Sequence, residues 1–180
     1  MDILKSMKLE RYSLLYLFGL LIFLSVLSAG GSDEPWQWHD LSEAYDSAMS
    51  EGKHLIINFY APGCFWCKKM DKMTFADTSV SRMLAEGFVG AKVNIASNRK
   101  LEWQGSEMTE RELAQAFAVR GTPNTAFLDS TGNVIARLPG YVNAERFKIV
   151  LRFIGGDWYN ELSFQEYLMS ESALHGGTGE

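Results

Sequence analysis

The chain has 180 residues, with 22 acidic against 17 basic side chains and a net charge of −5. That length allows one domain of ordinary size once a targeting segment is set aside. An acidic balance without a basic patch argues against a nucleic-acid partner.

Lys5, Lys8 and Arg11 open the chain, and residues 12–29 are almost wholly apolar. Small residues follow around Ala29, at Ser28, Gly30 and Gly31. This is the pattern of a secretory signal peptide over residues 1–29, with cleavage near Ala29. The apolar run is also close to the minimum for a membrane span, so an uncleaved anchor is the second reading. Either reading puts the domain outside the cytoplasm, and membrane attachment arises only if the segment is kept. The remaining chain holds fourteen basic and twenty acidic residues. It is long enough to bury a core without disulfide staples.

Residues 30–39 read as a leader whose Trp36 and Trp38 dock on the domain edge, and residues 40–170 as the domain. Asp40 caps a helix in which Leu41, Ala44, Tyr45, Ala48 and Met49 recur at helical spacing, and Gly52 ends it. The run His54-Leu55-Ile56-Ile57-Asn58-Phe59-Tyr60 is a buried strand. A helix follows from Cys64 to about Phe75. Asp77 caps another, with Val80, Met83 and Leu84 facing inward, and residues 89–95 form a second strand.

Residues 96–108, including Arg99, Lys100, Trp103 and Met108, are polar and carry no clear element. A tolerated surface insertion accounts for them as well as a partner-selecting loop does. Thr109 and Glu112 make a capping box for a helix with Leu113, Ala116 and Phe117 on one face. Residues 126–129 and 134–138 are strands joined by a Ser130-Thr131-Gly132-Asn133 turn. Asn143 caps a helix with Phe147, Val150, Leu151 and Ile154 inward. A short helix is expected over residues 163–169 and a flexible tail over 171–180. The order predicts an α/β fold, a mixed central sheet with helices on both faces. Its first strand pair is parallel with a right-handed crossover, and its last is antiparallel.

Cys64 and Cys67 are the only cysteines. Three apart on a helical turn, they share a face with Cβ atoms about 5–6 Å apart, near enough for a disulfide. They open a helix, whose N-terminal N–H groups favour a thiolate, the nucleophilic form of cysteine. Cys64, nearer the turn, is the expected attacker, and Cys67, one turn deeper, the resolving thiol. A structural disulfide and half of a zinc site are the alternatives. Zinc needs about four ligands, and His39, His54 and His175 stand at no helpful spacing, so no metal and no cofactor are expected. Phe65 and Trp66 place no charge between the thiols and form an apolar lip for a substrate backbone, or simply pack. Met70 and Met73 read as core.

Four features in order make residues 40–155 resemble the thioredoxin superfamily. They are the strand into Cys64-x-x-Cys67, the strand Ala91-Lys92-Val93-Asn94-Ile95, the loop Val119-Arg120-Gly121-Thr122-Pro123, and the hairpin running into Leu138-Pro139-Gly140-Tyr141. Within it the chain looks most like the SoxW-like secreted thioredoxins. Cys67-Lys68-Lys69-Met70, the Gly-Thr-Pro loop, Arg137-Leu138-Pro139-Gly140-Tyr141 and Ser163-Phe164-Gln165-Glu166-Tyr167-Leu168 carry that resemblance.

The resemblance implies a thioredoxin fold and a periplasmic thiol–disulfide oxidoreductase, with net reduction of protein disulfides favoured. It also implies a membrane thiol transporter as electron donor. A dithiol oxidase or isomerase, or a binding module with a structural disulfide, is the alternative. Pro123 should be cis and lie against the dithiol, with Thr122 offering backbone groups to an extended substrate. Where many thioredoxins carry a buried aspartate, this chain has Asn58, which cannot take a proton from Cys67. Lys92 matches the family's nearby lysine. Water, or another acid such as Asp71 or Glu112, is expected to take the aspartate's place.

Overall fold

The strand β1, His54–Tyr60, is buried along all but its last residue. An apolar run of that kind needs cover on both faces. The computed structural model describes residues 36–175, so the expected signal peptide or anchor lies outside the described residues. A four-stranded sheet in the order β2-β1-β5-β6 is built on β1. It comprises β2 (Phe88–Asn94), β5 (Asn124–Leu128) and β6 (Val134–Pro139). β1 and β2 run parallel, whereas β5 is antiparallel to both β1 and β6. This is the expected mixed sheet.

Alternation along β1 divides two cores. Leu55, Ile57 and Phe59 face α1 (Leu41–Glu51) and α4 (Glu110–Ala116). Ile56 faces the opposite core, which gathers side chains from α3 (Thr78–Gly87), α5 (Ala144–Gly155) and α6 (Phe164–His175). Each of these helix starts that carries a cap has a chemical cause. Asp40 accepts from Ser42 N–H, Asp77 from Ser79 and Val80, and Asn143 from Arg146. Thr109 and Glu112 form the reciprocal capping box, and such caps contribute about 1 kcal/mol each. On α4 the second buried apolar position is Ala114 and not Ala116, which is exposed. α6 runs through His175, past the expected end of the domain at residue 170.

The helix opened by the cysteines changes character midway. α2 spans Phe65–Met70, and one π-helical turn, Asp71–Phe75, continues it. Met70 is buried as expected, but Met73 is 60 % exposed, placed outward by the wider turn.

Residues 96–108 are not a surface insertion. Lys100–Trp103 and Ser106–Thr109 pair as an antiparallel hairpin, β3 and β4. Leu101 and Trp103 point into the first core while Lys100 and Glu102 face water. The Trp103 ring meets Tyr45 at 5.1 Å and Phe117 at 5.7 Å. Gln104 and Gly105, both at positive φ, make the two-residue turn, the geometry that matches strand twist.

Residues 36–39 form a strap along the outer edge of β2. His39 N–H donates to Gly90 O, and His39 bridges Ala91 in parallel. Trp36 N–H donates to Ser81 Oγ. The Trp36 ring lies over Gly90 so closely that a Cβ there would meet it at 2.3 Å.

Candidate functional site

Cys64 is the N-cap of α2, and its Sγ accepts the Cys67 N–H at 3.1 Å. Extended backbone at Cys64 (ψ 108°) turns the chain from the β1 exit into the helix. The two sulfurs are joined as a disulfide with Cα atoms 5.3 Å apart. Their settings differ: Cys64 is partly exposed, while Cys67 is 6 % exposed beneath it. The oxidised pair therefore presents one sulfur outward and keeps the other inside.

Phe65 and Trp66, between the cysteines, are 69 % and 49 % exposed. They do not fold back into the core. Their rings meet edge-on at 5.4 Å, and Trp66 leans on Tyr141 at 5.5 Å. The Lys69 ammonium sits over both Trp66 and Tyr141, 5.0 and 5.1 Å from the ring centroids. Such a cation holds two rings by electrostatic attraction to their faces. The sequence reading gave Lys69 and Tyr141 no role. Their signal lies in Tyr141 following Gly140 at the end of β6, which the sheet brings beside α2.

Pro123 reaches the same end of the sheet by register. Asn124 pairs with Phe59 on β1 and with Pro139 on β6. Pro123 therefore stands level with the β1 exit, from which the cysteine turn springs. The Thr122–Pro123 peptide bond is cis, and Pro123 O accepts from Gly140 N–H at 2.8 Å. Thr122 and Pro123 line a hollow of about 510 Å³ with Gly121 and Gly140.

Asn58 is 2 % exposed, and its Nδ2 donates to Thr125 Oγ1 at 3.0 Å. The amide is satisfied without any carboxylate. Lys92, the register partner of Asn58 on β2, pairs instead with Asp71, Nζ to Oδ1 at 2.5 Å. Trp38 and Tyr60 place ring faces 5.3 and 5.9 Å from the same ammonium. Asp71 sits one helical turn beyond Cys67, and its N–H donates to Cys67 O. Glu112, the other acid, is held by Thr109 at the start of α4. The sequence missed Trp38 as a neighbour of Lys92, because only the strap brings it there.

Among the described residues no group of three or more His, Cys, Asp or Glu side chains comes together as a metal site. Among them, too, no helix is long and apolar enough to cross a membrane.

Comparison with known proteins agrees with this geometry. The family described as "Thioredoxin-like domain" matches residues 41–155. The thiol:disulfide interchange protein DsbD of Ralstonia nicotianae is 32% identical over 114 residues, covering 63% of this chain and 17% of that protein. Its counterpart in Yersinia pestis is 33% identical over 102 residues, 56% of this chain and 16% of that protein. The chain thus spans less than a fifth of these curated relatives' length. Among solved structures, a thioredoxin-fold protein from Helicobacter pylori superposes with a TM-score of 0.59 at 28% identity, covering 69% of this chain and 87% of that one. A thioredoxin from Thermus thermophilus gives 0.56 at 27%, covering 67% and 88%. With its Cys-x-x-Cys pair joined at the exit of the central strand, the chain belongs to the thioredoxin-like domain family.

Proposed function

We propose that the protein is a periplasmic thiol–disulfide oxidoreductase that reduces disulfides in other proteins. The observation that carries this reading is the unequal burial of the two sulfurs at one end of the sheet. In the reduced protein the Cys64 thiolate attacks one sulfur of a substrate disulfide. A Cys64–substrate mixed disulfide forms, and the other substrate sulfur leaves as a thiolate. Cys67, after losing its proton, attacks Cys64 Sγ. The second substrate sulfur leaves, and Cys64–Cys67 is oxidised. The two electrons come from the dithiol, so each turnover needs a two-electron thiol donor, which we assign to a membrane thiol transporter.

Thr122 lends backbone groups to an extended substrate beside Pro123, while Phe65 and Trp66 form the apolar lip. Asn58, Lys92 and Asp71 set the environment of Cys67. Secretion through residues 1–29 and affiliation with the SoxW-like thioredoxins belong to the same reading. The first rests on the basic start and apolar run, the second on the Arg137–Tyr141 and Ser163–Leu168 segments of the sequence.

Two variants test the chemistry. Cys64→Ser should abolish reduction of a protein disulfide, and Cys67→Ser should accumulate a covalent adduct with substrate that dithiothreitol releases. A Cys64→Ser protein with unchanged reductase activity overturns the reading. A measured reduction potential decides direction. A value well below the compartment's poise supports the reductase, and one above it makes the protein an oxidase.

A further inference from the structure

Two hollows along the Pro123–Tyr141 region are lined by cations and by no carboxylate. They share Pro139 in their walls, and Pro123 lines one of them. One, of about 510 Å³, includes Arg120 and Arg137, and the other, of about 370 Å³, includes Arg146 and Tyr141. Neither wall contains an aspartate or a glutamate, although acidic residues outnumber basic ones by 22 to 17 in the sequence. Among the described residues none of these three arginines forms an ion pair. Arg137 donates to Phe117 O, while Arg120 and Arg146 are exposed.

On the other side of the cysteines, Lys68 is exposed, and Lys69 rests on the rings of Trp66 and Tyr141. The nearby carboxylates are already engaged: Asp71 with Lys92, and Glu145 with Lys148. Unpaired cations lining a groove raise the local concentration of negative partners and repel positive ones. The Pro139–Tyr141 link lies between Arg120 and Arg146, and Tyr141 touches Trp66 of the apolar lip.

We propose that this groove selects an extended protein segment whose disulfide cysteine is flanked on both sides by aspartate or glutamate. Carboxylates on one flank meet Arg120 and those on the other meet Arg146, with an apolar neighbour of the cysteine against Phe65 and Trp66. The inference rests on the oxidoreductase reading and names the substrate class for it.

The test uses the reduced protein and three disulfide-linked peptides of equal length, with cysteine flanked by Glu, Gln or Lys. Exchange rates are followed at low and high salt. The Glu peptide should react about fivefold faster than the Lys peptide at low salt, the size expected of two exposed charge contacts. The difference should collapse as the screening length shrinks. The double variant Arg120→Glu/Arg146→Glu should reverse the order of the peptides. Equal rates for all three, or an order that survives charge reversal, overturns the selectivity. If neither the peptides nor the uncharged reagent 4,4′-dithiodipyridine reacts with the reduced protein, the oxidoreductase reading falls and the substrate class with it.

Discussion

Lys92 and Asp71 are joined across the gap between β2 and the turn that follows the dithiol helix, Nζ to Oδ1 at 2.5 Å. The lysine has a carboxylate partner, but one from the helix side and not from β1. Asn58, opposite Lys92 in register, gives its amide to Thr125.

Replacing Asn58 with aspartate puts a carboxylate into a site only 2 % exposed. Burial raises its pKa above the unfolded value of about 3.9. The folded protein then holds its proton to higher pH than the unfolded chain does. Stability of Asn58→Asp relative to the parent should therefore fall as pH rises from about 4 through the raised pKa, and stay low above it. The same carboxylate offers a base on the Cys67 side of the sheet, so release of mixed disulfide should speed up a few-fold at neutral pH. Urea unfolding across pH and stopped-flow exchange measure the two effects. An unchanged pH–rate profile would count against a role for position 58.

Arg99 bridges two helix starts. It reaches Asp40 at the cap of α1 (2.6 Å) and Glu110 at the start of α4 (3.0 Å). The Glu110 side chain is 6 % exposed, whereas Arg99 is half in water. Arg99→Ala leaves a buried carboxylate without its cation. The cost should be about 1–2 kcal/mol, below that of a fully buried pair because Arg99 is half solvated. The Arg99 guanidinium holds Asp40's carboxyl below the usual carboxylate value, with Ser42 N–H adding to the effect. A depressed pKa gives stability that is present above the unfolded value, about 3.9, and lost as pH falls through the folded one. The parent's advantage over Arg99→Ala should therefore be full at neutral pH and shrink below about pH 4. Denaturant midpoints at pH 7 and pH 3 read it directly.

Gly90→Ala should unseat the strap. Its Cβ would fall 2.3 Å from Trp36 Cζ2 and 2.8 Å from Ile56 Cγ2, and one of those neighbours must move. Ile56 is fully buried, so the tryptophan yields. The expected loss is about 1–3 kcal/mol, as for other overpacked sites. Trp36 fluorescence should shift to the red. A variant with native stability and unchanged emission shows the strap to be loosely held.

Trp103→Ala should cost about 3 kcal/mol or more, in the range for a buried tryptophan, since its ring is packed on Tyr45 and Phe117. A change of only a few tenths, read from thermal or urea unfolding, returns β3 and β4 to the status of a dispensable excursion.

That hairpin marks where the sequence could be read and where it could not. β1 declared itself because its residues offered both apolar continuity and β-branched side chains. α1, α3, α4 and α5 declared themselves because a cap residue preceded a helical period. β3 and β4 are four residues each, too short for the exposed–buried alternation of Lys100, Leu101, Glu102 and Trp103 to outweigh their polar surroundings. The dithiol was plain from two isolated cysteines. The pairing of Trp66 with Tyr141 was not, because the two are far apart in the chain and only the register of β6 on β5, and of β5 on β1, brings them together. The partner of Lys92 was obscured for a related reason. Local spacing places Asp71 beyond Cys67, but the path of β2 decides which lysine it meets.

The strap along β2 has a consequence for how copies of this protein behave when crowded. With that margin occupied, β6 is the strand of the four-stranded sheet left able, among the described residues, to template another chain edge to edge. Its chemistry works against such pairing. Pro139 withholds an N–H donor, Arg137 adds charge, and the irregular register between Phe127 and Leu128 distorts its pairing with β5. Self-association through extended backbone is thereby discouraged at both margins of that sheet, leaving the bare aromatic rings beside the cysteines as the surface through which other chains are met.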